Sequence, residues 1–288
     1  MECFQLKTKR IELKTKSFEL KTKNPQSEMP FAKLAGKWSI DSPRFTRLLK
    51  LIILSIMQNG LSLVHRIKEP TLASSGAPPL MLLVHGLGGD EKSLYFLANK
   101  LDGRFFFVSV RAPYALEGGG YAWFRPRFAP DGSAKPPDEA EASRRLLLGF
   151  VDEAVEAYRV DAGRVYLFGF SQGTMMSLGA ALTAPEKIAG VVAASGRLLP
   201  ELLPIMAAPD RLEGLPIFVS HGVRDEILPI RYAREIRDRL SLFPVELSYR
   251  EYPMGHEIRQ ECIADISDWL GALLDDRKGN QPEGVLIQ

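Results

Sequence analysis

Val165-Tyr166-Leu167-Phe168-Gly169-Phe170-Ser171-Gln172-Gly173 is an apolar run that ends in a G-x-S-x-G turn, and Met175 to Leu182 continues it with helical composition. Strand, sharp turn bearing Ser, then helix is the setting in which this pattern becomes a nucleophile elbow. The turn forces Ser171 into a strained backbone conformation. It needs small neighbours, because side chains at 169 and 173 would collide with the flanking strand and helix. The expected outcome is a hydroxyl held above the edge of a sheet, so the rest of the chain should supply a base, an acid and hydrogen-bond donors for an oxyanion.

Outward from the elbow, the chain alternates two patterns. Short continuous apolar runs, the mark of strands buried on both faces, occur at Leu80–Val84, Phe105–Val110, Val165–Phe168, Val191–Ala194 and Pro216–Ser220. Leu61–Ile67 alternates apolar and polar residues, as an outer antiparallel strand does. Val245–Tyr252 is of mixed polarity, which suits a strand near an edge. Helical spacing runs through Ser93–Leu101, Glu139–Tyr158, Gln172–Ala184, Ile230–Leu240 and Glu257–Leu274. Such alternation predicts an α/β fold with a mostly parallel central sheet and helices on both faces. The Pro-, Arg- and Gly-rich stretch Arg125–Pro137 reads as a loop over the carboxyl edge of the sheet.

Composition narrows the class. The 288 residues are 45% hydrophobic and 25% charged, with a net charge of +2, which is ordinary for a globular protein in water. The charge is unevenly spread. Residues 1–56 carry a net +7 and the remainder a net −5, so the folded body gives no support for nucleic-acid binding. Cys3 and Cys262 are far apart, and neither they nor the four histidines have metal-ligand spacing. A reducing, cytoplasmic setting and no metal are expected.

Residues 1–56 differ in kind. Gln5-Leu6-Lys7-Thr8-Lys9 recurs with little change at 12–16 and 19–23. This seven-residue period lacks the second apolar position a coiled coil requires, since Cys3, Arg10 and Ser17 occupy it. The apolar run Leu48–Ile56 falls well short of the ~20 residues of a membrane span, so stable membrane insertion is not expected. It lies too deep for an ordinary signal peptide, and its basic flank would suit an interfacial helix. Met57 reads as the authentic start. The expected organisation is a basic, disordered or spurious extension at 1–56, one domain at 57–276, and a polar tail at 277–288.

Three further motifs follow predicted strands. His85-Gly86-Leu87-Gly88-Gly89-Asp90 comes after Leu80–Val84 and supplies a Gly-rich loop. The N–H groups of Leu87 and Gln172 are the candidate donors to an oxyanion. The loop lacks the G-K-[ST] ending of a phosphate loop. His221-Gly222-Val223-Arg224-Asp225-Glu226 comes after Pro216–Ser220. Asp225 is the candidate carboxylate, with an N-cap as its plainer role and Glu226 as the adjacent alternative. Tyr252-Pro253-Met254-Gly255-His256-Glu257 comes after the last strand. His256 completes the order Ser…Asp…His, whereas His85 lies in the donor loop, His221 reads as a strand-end packing residue, and His65 sits in the outer strand.

Gly-Phe-Ser-Gln-Gly at 169–173, His-Gly-Leu-Gly-Gly at 85–89, Arg-Ala-Pro at 111–113, Ala-Trp-Phe at 122–124, Ser-Gly at 195–196, His-Gly-x-x-Asp-x-x-x-Pro at 221–229 and Met-Gly-His at 254–256 together resemble the carboxylesterase/phospholipase family. This is the small α/β-hydrolase group that includes acyl-protein thioesterases. The likeness runs from about Leu80 to Leu274. It implies an α/β-hydrolase fold and a cofactor-free serine esterase acting on carboxylic esters, with thioesters and lysophospholipids as further substrates. It carries the nucleophile to Ser171, the acid to Asp225, the base to His256 and the oxyanion donors to Leu87 and Gln172. Two positions depart from it: Arg125 stands where the family often has Asp after Trp-Phe, and Thr174 where it often has a second Gly after Ser-Gln.

Trp123, Phe124, Leu87 and Met175 are the candidate acyl-pocket residues, with core packing as the plainer role of Met175. Arg111, Arg125 and Arg127 offer positive charge to an anionic leaving group, against the simpler reading of a solvated loop. A small-molecule ester is the expected partner, and the chain is expected to be a monomer or weak homodimer. An acyltransferase using the same triad, and a non-catalytic binding protein of the same fold, are the alternatives. Activity should fall on acidification, because a protonated His256 cannot accept the Ser171 proton.

Overall fold

The computed structural model describes residues 60–73, 76–125 and 138–276, together with the backbone of 127–128 and 134–135. The repeats, the apolar run 48–56, Met57, the side chain of Arg127 and the tail at 277–288 lie outside the described residues.

Seven strands form one sheet. They are β1 (His65–Lys68), β2 (Leu80–Val84), β3 (Phe106–Val110), β8 (Val165–Phe170), β9 (Gly190–Ala194), β10 (Pro216–Gly222) and β11 (Glu246–Tyr252), in the order β1-β3-β2-β8-β9-β10-β11. Only β1 runs antiparallel to its neighbour, pairing His65 with Val110. The other pairs are parallel, with Val84 beside Gly169, Gly169 beside Ala193, and Pro216 beside Glu246. Between β3 and β8 lie two short two-stranded pieces, β4 (Tyr114–Ala115) with β5 (Tyr121–Ala122) and β6 (Arg127–Phe128) with β7 (Ala134–Lys135). Among the described residues four α-helices complete the order: α1 (Asp138–Tyr158), α2 (Gln172–Thr183), α3 (Arg231–Leu240) and α4 (Gln260–Asp276).

The period-two geometry of a strand sends neighbouring side chains to opposite faces. In β2, Leu80, Leu82 and Val84 join a core with Leu147 and Phe150 of α1, Leu178 of α2 and Ile236 of α3. Met81 and Leu83 join a second core on the other face, with Leu97, and with Cys262, Ile266 and Leu270 of α4. All five β2 residues are buried, which is why the central strands read as unbroken apolar runs rather than as alternation. At the border, β11 keeps exposed positions along its length.

Two predicted helices are shorter than their patterns. Ser93–Leu101 contains a 3-10 turn at Tyr95–Asn99, and the last helix begins at Gln260 rather than Glu257. Because six strands run the same way, the segments after β2, β8, β10 and β11 all emerge at the carboxyl edge, where ligands of open α/β sheets bind.

Candidate active site

The elbow is built as its glycines require. Ser171 has φ 55° and ψ −116°, a conformation that costs a non-Gly residue about 1–3 kcal/mol and persists only where the surroundings impose it. A Cβ at Gly169 would meet the Gly173 carbonyl oxygen at 2.5 Å, and one at Gly173 would meet the Val84 oxygen at 1.9 Å. Helix α2 is thus pressed onto the ends of β2 and β8. The Ser171 N–H donates to the Ala194 oxygen at 2.9 Å. Thr174, buried at the non-glycine position, shares its hydroxyl proton between the oxygens of Gly169 and Ala194, at 2.9 and 2.7 Å. A Cβ at Gly196 would stand 2.3 Å from the Thr174 Cβ.

The structure brings Ser171, His256 and Asp225 together. His256 Nε2 lies 2.9 Å from Ser171 Oγ and its Nδ1 lies 2.7 Å from Asp225 Oδ2. Asp225 is buried, and its Oδ1 accepts the N–H groups of Ile227 and Leu228 at 2.9 and 2.8 Å. With Oδ1 held by the backbone, Oδ2 is left to receive Nδ1–H of His256. That fixes the tautomer and leaves Nε2 as the acceptor for the serine proton.

His221 adds a contact that the sequence does not show. It is fully buried at the end of β10, and its Nε2 donates to the Leu228 oxygen at 2.6 Å while lying 3.3 Å from Asp225 Oδ2. Burial pushes its pKa down, against the pull of the Leu228 oxygen and then of Asp225, so the ring is neutral and, through the Leu228 oxygen, braces the turn that carries the carboxylate. The acid loop is also clamped to the base loop. The N–H groups of Val223 and Arg224 donate to the oxygens of Tyr252 and Met254 at 2.9 and 3.0 Å. A Cβ at Gly222 would stand 2.3 Å from the oxygens of Met254 and Gly255.

The other two histidines are structural. His85 is buried, approaches the Gly86 oxygen through Nδ1 at 2.6 Å, and accepts the Ala112 N–H on Nε2 at 3.0 Å. His65 bonds Leu63 and the Tyr158 hydroxyl. Burial holds the pKa of each below the usual imidazole range.

The Gly-rich loop after β2 lies against Ser171: a Cβ at Gly86 would be 3.1 Å from the Ser171 Cβ. Among the described residues no acceptor takes the N–H of Leu87 or of Gln172. The Gln172 side chain has a second task. Its Oε1 accepts the Trp123 N–H and its Nε2 donates to the Phe124 oxygen, both at 2.7 Å. Trp123 itself is fully buried, with its indole N–H on the His85 oxygen at 2.9 Å. The candidate pocket residues therefore differ. Leu87 is exposed, Trp123 and Phe124 pack into the core, and Met175, a member of the same core, also lines a cavity.

That cavity, of about 350 Å³, runs between α1, α2 and the turn at Pro200–Ile205, and its walls include Ala140, Met175, Met176, Gly179, Leu199 and Leu202. Met175 stands one helical turn from Ser171 on the same face. A second cleft, of about 300 Å³, lies on the His256 side and includes Leu87, Leu94, Phe96, Phe170, His256 and Ile258. Arg111 is paired with Glu91 at 2.7 Å, and Arg125 with Glu139, so neither offers a free cation. Among the described residues, no three His, Cys, Asp or Glu side chains cluster so as to hold a metal ion, and no helix is long and apolar enough to cross a membrane.

This geometry agrees with the similarities of the chain to known proteins. Residues 67–274 match the phospholipase/carboxylesterase family. The chain belongs to it. Acyl-protein thioesterase 1 of Neurospora crassa is 32% identical over 152 residues, an alignment that spans 50% of this chain and 62% of that protein. The Kluyveromyces lactis protein of the same name is 27% identical over 221 residues, 70% of this chain and 96% of that one. Among solved structures, the Bacillus cereus carboxylesterase superposes with a TM-score of 0.64 at 22% identity, covering 76% of this chain and 98% of the other. Esterase PE8 gives 0.63 at 23%, covering 74% and 100%. At those identities the likeness is one of fold: this member of the family has the α/β-hydrolase fold.

Proposed function

We propose that the chain is a serine esterase that hydrolyses carboxylic esters and thioesters through an acyl-enzyme on Ser171. The observation that carries the reading is the continuous hydrogen-bond line from Ser171 Oγ through His256 to Asp225, at 2.9 and 2.7 Å. As Oγ attacks the carbonyl carbon, His256 Nε2 takes the hydroxyl proton and Asp225 stabilises the imidazolium that forms. The carbonyl oxygen, now negative, is received by the N–H groups of Leu87 and Gln172, fixed before the reaction begins. The carbon–oxygen or carbon–sulfur bond then breaks and His256 returns its proton to the leaving atom. Water, deprotonated by His256 in turn, attacks the acyl-enzyme and releases the acid and Ser171. Met175 and the cavity along α2 hold the acyl chain, while Trp123 and Phe124 act through Gln172 by fixing the turn that carries its N–H.

The relatives named acyl-protein thioesterase 1 support the thioester part of the reading. The domain assigned is 57–276, supported by the run of elements from β1 to α4 and by the family match over 67–274. We assign the protein to the cytoplasm, supported by the buried free thiol of Cys262, and treat it as a monomer or weak homodimer whose partner is a small ester. Replacing Ser171 by Ala should lower hydrolysis of a short-chain nitrophenyl ester by at least about 10³-fold and abolish labelling by a fluorophosphonate. Turnover retained in that variant would overturn the nucleophile assignment.

A further inference from the structure

An ester has two arms, and the proton path decides where each must lie. The leaving atom receives its proton from His256 Nε2, so it must come within hydrogen-bond reach of that nitrogen. The cleft that His256 itself lines is therefore the side on which the alcohol or thiol departs. Its walls are mostly apolar or aromatic: Leu87 and Phe96, each nearly half exposed at the mouth, Leu94, Phe170 and Ile258, with the hydroxyl of Ser93 taken up by Asp90. Phe170 also packs against the His256 ring, with centroids 4.9 Å apart. The fixed charge in this wall is negative: Glu257, already paired with Arg259 at 2.7 Å. Among the described residues no Lys or Arg lines the cleft, and Arg111 and Arg125 are bound to Glu91 and Glu139.

We propose that this cleft is a leaving-group subsite that accepts uncharged apolar alcohols and thiols and discriminates against anionic ones, phosphorylated headgroups included. The inference rests on the esterase reading above and narrows its substrate class, turning it away from lysophospholipids. The physical reason is twofold. An anion entering the cleft gives up water against mostly apolar side chains, and the one hydroxyl among the described lining residues, that of Ser93, already donates to Asp90. It also meets the carboxylate of Glu257, a like charge that Arg259 offsets only in part, at a cost worth about ten-fold in binding at an intermediate effective dielectric. Selectivity of this kind comes from what the wall lacks as much as from what it offers.

The test compares esters that share a hexanoyl group and differ only in the phenol: 4-nitrophenol, its 3-carboxamide and its 3-carboxylate, each rate being divided by the rate of hydroxide-catalysed hydrolysis. The carboxamide should stay within about three-fold of the parent in kcat/KM, and the carboxylate should fall by about ten-fold or more. Phe96→Arg puts a cation at the mouth and should raise the carboxylate-to-carboxamide ratio by about five-fold or more, and Glu257→Gln should move that ratio the same way by a smaller factor. Circular dichroism of each variant checks that it is folded. If the carboxylate ester turns over as fast as the carboxamide, or Phe96→Arg leaves the ratio unmoved in a folded protein, the subsite assignment fails. Ser171→Ala separates the two levels. Loss of all three hydrolyses keeps the esterase reading whatever the ratios show, whereas survival of all three removes the reading on which the subsite depends.

Discussion

The loops that deliver the acid and the base are held in different ways. Asp225 is fully enclosed, with both carboxylate oxygens occupied: two backbone N–H groups on one and His256 on the other, from which His221 Nε2 stands 3.3 Å away. Among the described residues the ring of His256 has only Asp225 and Ser171 as hydrogen-bond partners, and its side chain is 18% exposed. The acid is thus set by the fold and the base is set by the acid. A general base that must rotate slightly between Ser171, the leaving atom and water gains from such an arrangement. A fixed carboxylate supplies one anchored end while the other end stays free to exchange partners.

That contrast is most strongly broken by Asp225→Asn, which keeps the shape and removes the charge. Ester hydrolysis should fall roughly 10²–10⁴-fold in kcat with little change in thermal stability. A fall of less than about ten-fold would mean that His256 does not depend on this carboxylate. Gly222→Ala attacks the clamp between the loops, because its Cβ has no space beside the Met254 and Gly255 oxygens. Displacing His256 by about 1 Å should cost on the order of 10²-fold in kcat, with KM nearly unchanged. An unaltered kcat in a folded variant would show that the two loops are positioned independently.

A smaller effect tests the brace. His221→Leu should lower kcat about ten-fold by removing the N–H that holds the Leu228 oxygen, and with it the turn that positions Asp225, and His221→Gln, which returns an N–H at the reach of Nε2, should recover most of it. Equal loss in both variants would make His221 a packing residue only. The mildest probe is pH. His65, His85 and His221 all have pKa values lowered by burial from 6.5. Below that value the unfolded chain therefore binds more protons than the folded one, and stability declines as pH falls toward the folded pKa values. The slope is at most about 1.4 kcal/mol per pH unit for each group. Urea midpoints should drop between about pH 7.5 and 5.5, and a flat profile would contradict the neutral state assigned to these rings.

Much of this architecture is legible in the sequence. The runs Leu80–Val84, Val165–Phe168 and Pro216–Ser220 stand out because strands buried on both faces tolerate no polar residue, and the three motifs after them fall at one edge because parallel strands share a direction. The signal fails where geometry depends on distant neighbours. The β4–β5 pairing rests on a turn through Gly118-Gly119-Gly120, whose glycines were the available cue. Ser93–Leu101 has helical spacing but too little length to do more than a 3-10 turn. Trp123 and Met175 belong to one core, yet Trp123 is sealed in it and Met175 also walls a cavity. The side chain of Gln172 holds the Trp123–Phe124 backbone, a bond across 49 residues that no local pattern encodes.

One crowded contact limits how this elbow can vary. The Thr174 methyl and Cβ lie 2.4 and 2.3 Å from where a side chain at 196 would begin, with the Ser171 oxygen next at 2.9 Å. Any enlargement at 196 is closed until 174 has shrunk, and shrinking 174 alone forfeits its hold on the Gly169 and Ala194 carbonyls. A mutational scan that visits these two sites singly will record both as intolerant. Only a paired library, with the smaller residue installed at 174 first, can find whichever combinations the elbow accepts.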